Sequence, residues 1–172
     1  MKKISVIFLR KKVEKKLLQK VKIIKEPESF NSFSCKINGE VFIPGSDRIY
    51  GSPRLYGGYS NNFSVIRITA KAAEKDPHKY VIIELNNFHG VGEYLLSDNN
   101  NDCRYEEFYP DNIYRSSLTK NGKVTITKDD RVNFILSGTF EFTAANTTDP
   151  HERVSISKGY FDLKLKKIIY HF

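Results

Sequence analysis

The chain has 172 residues, of which 40% are hydrophobic and 28% are charged. This length suits a single domain with a substantial core, and the composition is neither that of a disordered chain nor that of a membrane-embedded one. Ten Tyr and twelve Phe, with one Met and no Trp, favour a sheet over a helical bundle.

The net charge of +8 is concentrated at the N-terminus. Residues 1–25 hold ten Lys or Arg and one acid, Glu14, which gives +9, and the remaining 18 basic and 19 acidic residues give −1. The body of the chain is therefore close to neutral. Nucleic acid is not an expected partner, because the basic residues form a terminal segment and not a groove.

Residues 1–26 have the pattern of a basic amphipathic helix, and Pro27 ends that pattern. Lysines occupy many positions, and apolar residues recur every three or four positions at Val6, Leu9, Val13, Leu17, Val21 and Ile24. Three roles stay open for this helix. It could pack its apolar stripe on the following domain, attach to an anionic membrane surface, or bind nucleic acid without specificity.

The apolar run of the same segment is too short for a complete export signal. Its apolar run, residues 4–9, has six residues, whereas a signal peptide needs about 7–15, and neither a cleavage site nor a lipid-accepting cysteine follows. The residues alone therefore favour a cytoplasmic location.

From Phe33 onward the apolar residues alternate with polar ones, as is typical of strands. Asn38-Gly39 predicts a tight hairpin turn, and Asn121-Gly122 predicts a second. Residues 69–75 are the one other stretch that could be helical. The predicted strands are residues 33–37, 41–43, 63–70, 79–86, 91–96, 103–108, 112–117, 124–127, 132–144, 152–157 and 160–170.

These elements predict an all-β fold. We expect an antiparallel β-sandwich or partly open barrel of about eight to ten strands, preceded by the basic N-terminal helix. Residues 1–30 form the basic segment and linker, and residues 31–172 form the β domain. The core should include the alternating residues of the last strands, Phe140, Phe142, Phe161 and Leu163.

No motif for catalysis, metal binding or nucleotide binding is complete, so we expect no enzyme, no cofactor and no metal. Residues 98–102 begin like a calcium loop, but Cys103 and Tyr109 replace its glycine and its closing glutamate. The histidines lack the spacing of metal ligands. Cys35 and Cys103 are either free thiols or one disulfide, and the sequence leaves both open.

The candidate binding surface is the tyrosine- and glycine-rich loop of residues 49–62. Tyr50, Tyr56 and Tyr59 would supply amphipathic contact area, and Arg54 would add a planar donor. The alternative is an ordinary strand–turn–strand with tyrosines along its edge. The same two interpretations apply to a second aromatic group, Tyr105, Phe108, Tyr109 and Tyr114.

Five stretches carry a family resemblance: residues 33–42 (FSCKINGEVF), 92–96 (GEYLL), 122–127 (GKVTIT), 137–144 (SGTFEFTA) and 154–163 (VSISKGYFDL). In order and spacing they resemble small cell-envelope lipoproteins of Bacteroidota whose molecular function is unknown. The resemblance implies a β-sandwich or barrel-like domain facing the periplasm or the exterior. Such proteins begin with a signal that ends in a cysteine, and this chain has a lysine-rich segment there.

We therefore expect a noncatalytic, envelope-associated β domain that binds a ligand or a protein through loops or a sheet edge. The alternative is a carrier of a small apolar ligand, with a pocket inside a partly open barrel. The resemblance implies the cell envelope, whereas the missing signal favours the cytoplasm. The basic segment makes an anionic membrane surface a further candidate partner.

Overall fold

The computed structural model describes residues 31–45, 48–49, 52–53, 55–60, 63–72, 78–97, 100–108 and 111–167. The predicted basic helix of residues 1–26 lies outside these residues. The described chain is mostly strand, with one short 3-10 helix at Ser116–Leu118 and no α-helix.

The strands, numbered in chain order, are β1 (Ser32–Ile37), β2 (Glu40–Phe42), β3 (Arg48–Ile49), β4 (Ser52–Pro53), β5 (Leu55–Ser60), β6 (Val65–Lys71), β7 (Lys79–Leu85), β8 (Gly92–Leu95), β9 (Asn101–Phe108), β10 (Asp111–Arg115), β11 (Asn121–Asp130), β12 (Ile135–Asn146), β13 (Arg153–Lys164) and β14 (Lys166–Lys167). The predicted antiparallel all-β fold is confirmed. There are more strands than expected partly because β3, β4 and β14 have two residues each, too few to show alternation.

Twelve strands form one continuous sheet that divides at β12. The order is β14-β5-β6-β7-β9-β10-β12-β13-β1-β2, and β11 and β8 continue from the other edge of β12. That edge pairs with β11 along most of its length and with β10 at its C-terminal end. We call β2-β1-β13-β12-β11-β8 the first layer and β14-β5-β6-β7-β9-β10 the second layer. The sheet does not close into a complete barrel.

The inner faces of the two layers share one hydrophobic core. In the second layer, Ile66, Ile68 and Ile83 are fully buried, because apolar residues alternate along β6 and β7. The first layer contributes Phe140, Phe142, Phe161 and Leu163, so the predicted core of the last strands is confirmed. Full burial of an apolar side chain of this size contributes about 1.5–3 kcal/mol.

The Asn38-Gly39 turn is confirmed. Asn38 and Gly39 have φ of 50° and 88°, and they join β1 to β2 with Ile37 opposite Glu40. The Asn121-Gly122 prediction was wrong in position, because both residues already belong to β11. The turn lies one step earlier, where Lys120 has φ of 51°.

The helical interpretation of residues 69–75 was also wrong over its first part, where Thr69–Lys71 end β6. Ala70 is fully buried between Leu55 of β5 and Val81 of β7. Pairing on both edges outweighs the helical preference of an Ala- and Lys-rich run. The strands predicted at 152–157 and 160–170 are largely one strand, β13, interrupted by a bulge where Lys158 has φ of 52°.

Candidate functional site

The structure separates the residues of the predicted binding loop. Tyr50 and Arg54 lie outside the described residues. Tyr56 and Tyr59 both belong to β5, but they point to opposite faces of the second layer: Tyr56 is 45% exposed and Tyr59 is 2% exposed. Tyr59 therefore belongs to the core and cannot share a contact surface with Tyr56.

Tyr59 lies in an aromatic and charged cluster between the two layers. Its hydroxyl donates to Oδ1 of Asp129 at 2.5 Å, and Nε of Arg131 donates to Oδ2 of the same carboxylate at 2.8 Å. The Arg131 guanidinium lies 5.5 Å from the Phe63 ring centroid and 5.8 Å from that of Phe88. Burial, with Asp129 beside it, raises the pKa of Tyr59. The hydrogen bonds to Asp129 therefore connect β5 with the end of β11 and the β11–β12 turn.

The second aromatic group is also divided. The rings of Tyr105 and Tyr114 point inward, with centroids 5.8 Å apart, whereas Phe108 is exposed on the opposite face. Tyr109 lies outside the described residues. The two inward tyrosines line a cleft between the layers.

This cleft, here called the mouth cleft, has a volume of about 480 Å³. It lies where the β1–β2 hairpin of the first layer faces the ends of β7 and β9 in the second. The described residues that line it are Ile37, Asn38, Glu40, Val41, Phe42, Ile43, Ala72, Lys79, Tyr105, Glu107, Tyr114 and Val154.

The floor of the mouth cleft is apolar and its wall is polar. Phe42, Ala72 and Val154 are buried at its base. On the second layer, the Tyr105 hydroxyl donates to Oε1 of Glu107 at 2.6 Å, and Nζ of Lys79 lies 4.0 Å from the same oxygen. The cleft thus combines an apolar base with a carboxylate that is already oriented by a hydrogen bond.

The rim of the cleft exposes two aliphatic side chains. Val41 and Ile43 are 67% and 60% exposed, beside the inward-facing Phe42. β2 pairs with β1, and its other edge carries no strand in the described part of the chain. Exposed aliphatic residues on a free edge are typical of a contact site, because natural sheets usually protect their edges with charges or prolines.

This rim was not among the predicted sites, although the sequence contains a signal for it. Val41, Phe42 and Ile43 are three consecutive apolar residues on a short strand that follows an Asn-Gly turn. Because side chains alternate along a strand, such a run predicts apolar residues on both faces, and one face must then meet solvent or a partner.

The thiols and acidic groups do not form an obvious reaction centre. Cys35 and Cys103 are free and buried, and burial raises the pKa of the Cys35 thiol to about 12. A thiol with that pKa is protonated at neutral pH and is a poor nucleophile. In the described ranges, no three His, Cys, Asp or Glu residues are grouped to hold a metal ion.

A smaller concavity of about 330 Å³ lies beside β8 and is lined by His89 and Glu93, among others. The His89 ring stacks on Tyr94 with centroids 4.7 Å apart. The Tyr94 hydroxyl donates to the carbonyl oxygen of Gly90 at 2.7 Å. These contacts fix the loop before β8, so the histidine has a structural role here.

Comparison with known proteins gives one match. A model of the domain of unknown function DUF6252 matches residues 58–162. No curated protein and no solved structure matches the chain significantly. Across the described ranges, we find no helix long and apolar enough to cross a bilayer. The matched residues run from β5 into β13 and cover well over half of the sequence, and the chain therefore belongs to the DUF6252 family.

Proposed function

We propose that this protein is a noncatalytic binding domain whose mouth cleft takes a small amphipathic ligand. The observation that carries the proposal is the cleft of about 480 Å³ between the layers, bordered by the exposed side chains of Val41 and Ile43. Sites for small molecules usually measure about 300–1,000 Å³ and combine an apolar lining with a few polar groups.

The polar wall indicates which headgroup the ligand carries. Among the described residues, Glu40 and Glu107 line the cleft together with one cation, Lys79. Lys79 already lies beside Glu107, so these three residues carry an excess of one negative charge. A ligand with an apolar body and a positively charged head therefore fits better than one with a negatively charged head. Near a protein surface, one charge of this kind is worth about 1 kcal/mol or more.

A ligand of this kind would meet two expectations from the sequence. One is binding through loops, and the other is an apolar pocket in a partly open barrel. The site is the open end of the sandwich and includes the β1–β2 hairpin, so it is partly a loop surface. Its base is lined by the inner faces of both layers, as in a carrier. The cleft is open to solvent, which suits a ligand whose head stays in contact with water.

We further propose that the domain acts in the cell envelope. The order of the five stretches that resemble envelope lipoproteins supports this location, and three of them lie wholly within the matched family region. Fractionation of cells that produce the protein, into soluble and envelope fractions, tests it. Recovery in the soluble cytoplasmic fraction alone would contradict the proposal.

Calorimetric titration with dodecylammonium and with laurate, both below their micelle concentrations, tests the binding site. We expect saturable 1:1 binding of dodecylammonium, about five- to tenfold tighter than laurate, since about 1.4 kcal/mol corresponds to a factor of ten. Val41→Asn combined with Ile43→Asn should weaken binding by more than tenfold. Val132→Asn is the matched control, because Val132 is exposed on the β11–β12 turn, far from the cleft in sequence. Equal binding by all three proteins would rule out the mouth cleft.

A protein partner that adds a strand to β2 is the second candidate. The edge of β2 that no described strand pairs with and the exposed Val41 favour it, because edge addition uses main-chain hydrogen bonds and alternate side chains. Val41→Lys places a charge on this edge, and should abolish capture of such a partner while leaving the melting temperature unchanged. A partner that binds the Lys variant as tightly as the wild type would exclude β2 as the docking edge.

A further inference from the structure

The outward face of the second layer has a buried centre. One row of paired residues crosses this face from β5 to β10 and consists of Tyr56, Thr69, Ile82, Arg104 and Arg115. The ends of the row, Tyr56 and Arg115, are well exposed, whereas Thr69 and Ile82 are 3% and 4% exposed. Thr69 and Ile82 are thus almost hidden from water, although neither belongs to the core between the layers.

Two polar atoms in this row are buried without a hydrogen-bond partner. They are Oγ1 of Thr69 and Nε of Arg104. Asp102 lies nearest to Arg104 Nε, at 3.7 Å, which is beyond hydrogen-bond range. Buried polar atoms are nearly always paired, and an unpaired one costs about 1–3 kcal/mol. Both atoms therefore lie in a part of the face that is closed to water and supplies no hydrogen-bond partner to them.

The arginines of this face are paired with acidic side chains. Arg67 and Arg104 both lie 3.6 Å from Glu84, and Arg115 lies 2.7 Å from Asp102. A face that has already paired its charges attracts a partner mainly by apolar burial around Ile82 and Tyr56. Its attraction for a partner should therefore depend little on salt.

The N-terminal part of this chain matches the face in length and chemistry. Its apolar stripe runs from Val6 to Ile24, a distance of about 27 Å in a helix. The second layer has six strands, which gives a width of about 24 Å. The stripe is thus long enough to cross every strand of the layer.

The attachment point of the segment also lies on the correct side of the domain. The amide of Asn31 donates to the carbonyl oxygen of Asp162 in β13 at 2.8 Å. A few residues further on, β14 pairs with β5 at the edge of the second layer. Asn31 therefore lies near that edge, and Tyr56 of β5 is the first residue of the row.

We propose that residues 1–30 dock their apolar stripe across the outward face of the second layer, over Thr69 and Ile82. This site is separate from the mouth cleft, which opens between the layers. Docking hides the stripe, so the same residues cannot insert into a membrane while they are docked. The lysines that flank the stripe remain in solvent.

Limited trypsin digestion of the full chain tests this docking, because residues 1–25 contain ten Lys or Arg. We compare the wild type with Leu9→Gln/Val13→Gln/Leu17→Gln, which changes the stripe outside the β domain. Cleavage follows the population of the undocked segment, so we expect the stripe variant to be cut about tenfold faster or more. The wild-type rate should be the same in 0.1 M and 0.5 M NaCl after correction for trypsin activity.

Ile82→Ser tests the face itself, with Val132→Ser as the matched control on an exposed turn. Ile82→Ser should accelerate cleavage of the segment as much as the stripe variant does, and Val132→Ser should not. If Ile82→Ser fails to fold, the proposal is tested by the cleavage rates of the wild type and the stripe variant. Equal cleavage of the wild type and the stripe variant would overturn the proposal. Protection that appears only with anionic vesicles would place the stripe on a membrane surface and would overturn it too.

Discussion

The hydroxyl of Tyr59 and the carboxylate of Asp129 form a 2.5 Å hydrogen bond across 70 residues of sequence. Tyr59 lies in β5 of the second layer, and Asp129 lies near the end of β11 in the first. The bond therefore ties the two layers together at a point distant from the β10–β12 junction. Arg131 binds the same carboxylate, so both oxygens of Asp129 are occupied.

Tyr59→Phe tests how much this bond stabilises the fold. The variant keeps the ring contacts with Phe63 and Phe88 but leaves one buried oxygen of Asp129 unpaired. We expect a loss of about 1–3 kcal/mol in the free energy of unfolding, measured by urea denaturation. Tyr56→Phe is the control, because Tyr56 is exposed on the same strand. Equal, small losses in both variants would show that the bond contributes little.

Two glycines in the first layer should tolerate no side chain. Phe161 lies over its cross-strand partner Gly138, and Phe140 lies over its partner Gly159. A Cβ atom would come within 2.6 Å of the ring in either case. Gly138→Ala and Gly159→Ala should each cost about 1–3 kcal/mol by overpacking.

Thr139→Ala is the control for these two variants, because Thr139 is the exposed neighbour of Gly138. Its free energy of unfolding, obtained from thermal melting, should lie within about 0.5 kcal/mol of the wild-type value. If Gly138→Ala has the same melting temperature as Thr139→Ala, the rings over the glycines are free to move aside.

The buried thiols predict a loss of stability at alkaline pH. Cys35 has an ordinary pKa of 9.0 when exposed, and burial raises it to about 12 in the folded chain. Between these values the unfolded chain loses the proton and the folded chain keeps it. This contribution to stability is therefore complete below pH 9 and is lost as pH rises toward 12, at about 1.4 kcal/mol per pH unit for one group.

Urea denaturation of the wild type and of Cys35→Ala between pH 7.5 and pH 11 measures this effect. The fall in unfolding free energy should be shallower in Cys35→Ala, although Cys103 and the buried tyrosines still contribute, because burial also raises the pKa of Cys103 and Tyr59. The same slope in both proteins would mean that Cys35 ionises in the fold. Rapid reaction of native protein with a thiol reagent would point to the same conclusion.

A chain that begins at Asn31 should fold without the basic segment. The whole described core lies between Phe33 and Leu165. We expect the circular dichroism of a β protein and a cooperative melt, at a temperature a few degrees below that of the full chain if residues 1–30 dock as proposed. A non-cooperative melt would show that the segment belongs to the core.

Much of the fold follows from local patterns, whereas the mouth cleft does not. Alternation located β6, β7 and the last strands, because burial of one face leaves a period of two in the sequence. β5 shows no such pattern, since Gly57 and Gly58 interrupt it. It exists as a strand because β6 pairs along one edge and β14 along part of the other.

Local sequence also could not show which of the predicted binding residues share a face. A shift of one residue moves a strand side chain to the other face of the sheet, and local sequence does not fix that register. Tyr56 and Tyr59 looked alike in the sequence but fall on opposite faces of the second layer. The mouth cleft joins Val41 with Tyr105 and Val154, which are distant in sequence and meet only when both layers are assembled.

The most direct test of ligand binding in the mouth cleft uses the absence of tryptophan from this chain. Val41→Trp and Val132→Trp each introduce a single indole, the first at the rim of the cleft and the second on the distant turn. Titration with dodecylammonium should change the Val41→Trp emission in a saturable way and leave Val132→Trp unchanged, and Glu107→Gln in the Val41→Trp background should weaken the response. No saturable change in Val41→Trp, or the same change in both reporters, would contradict binding in the cleft.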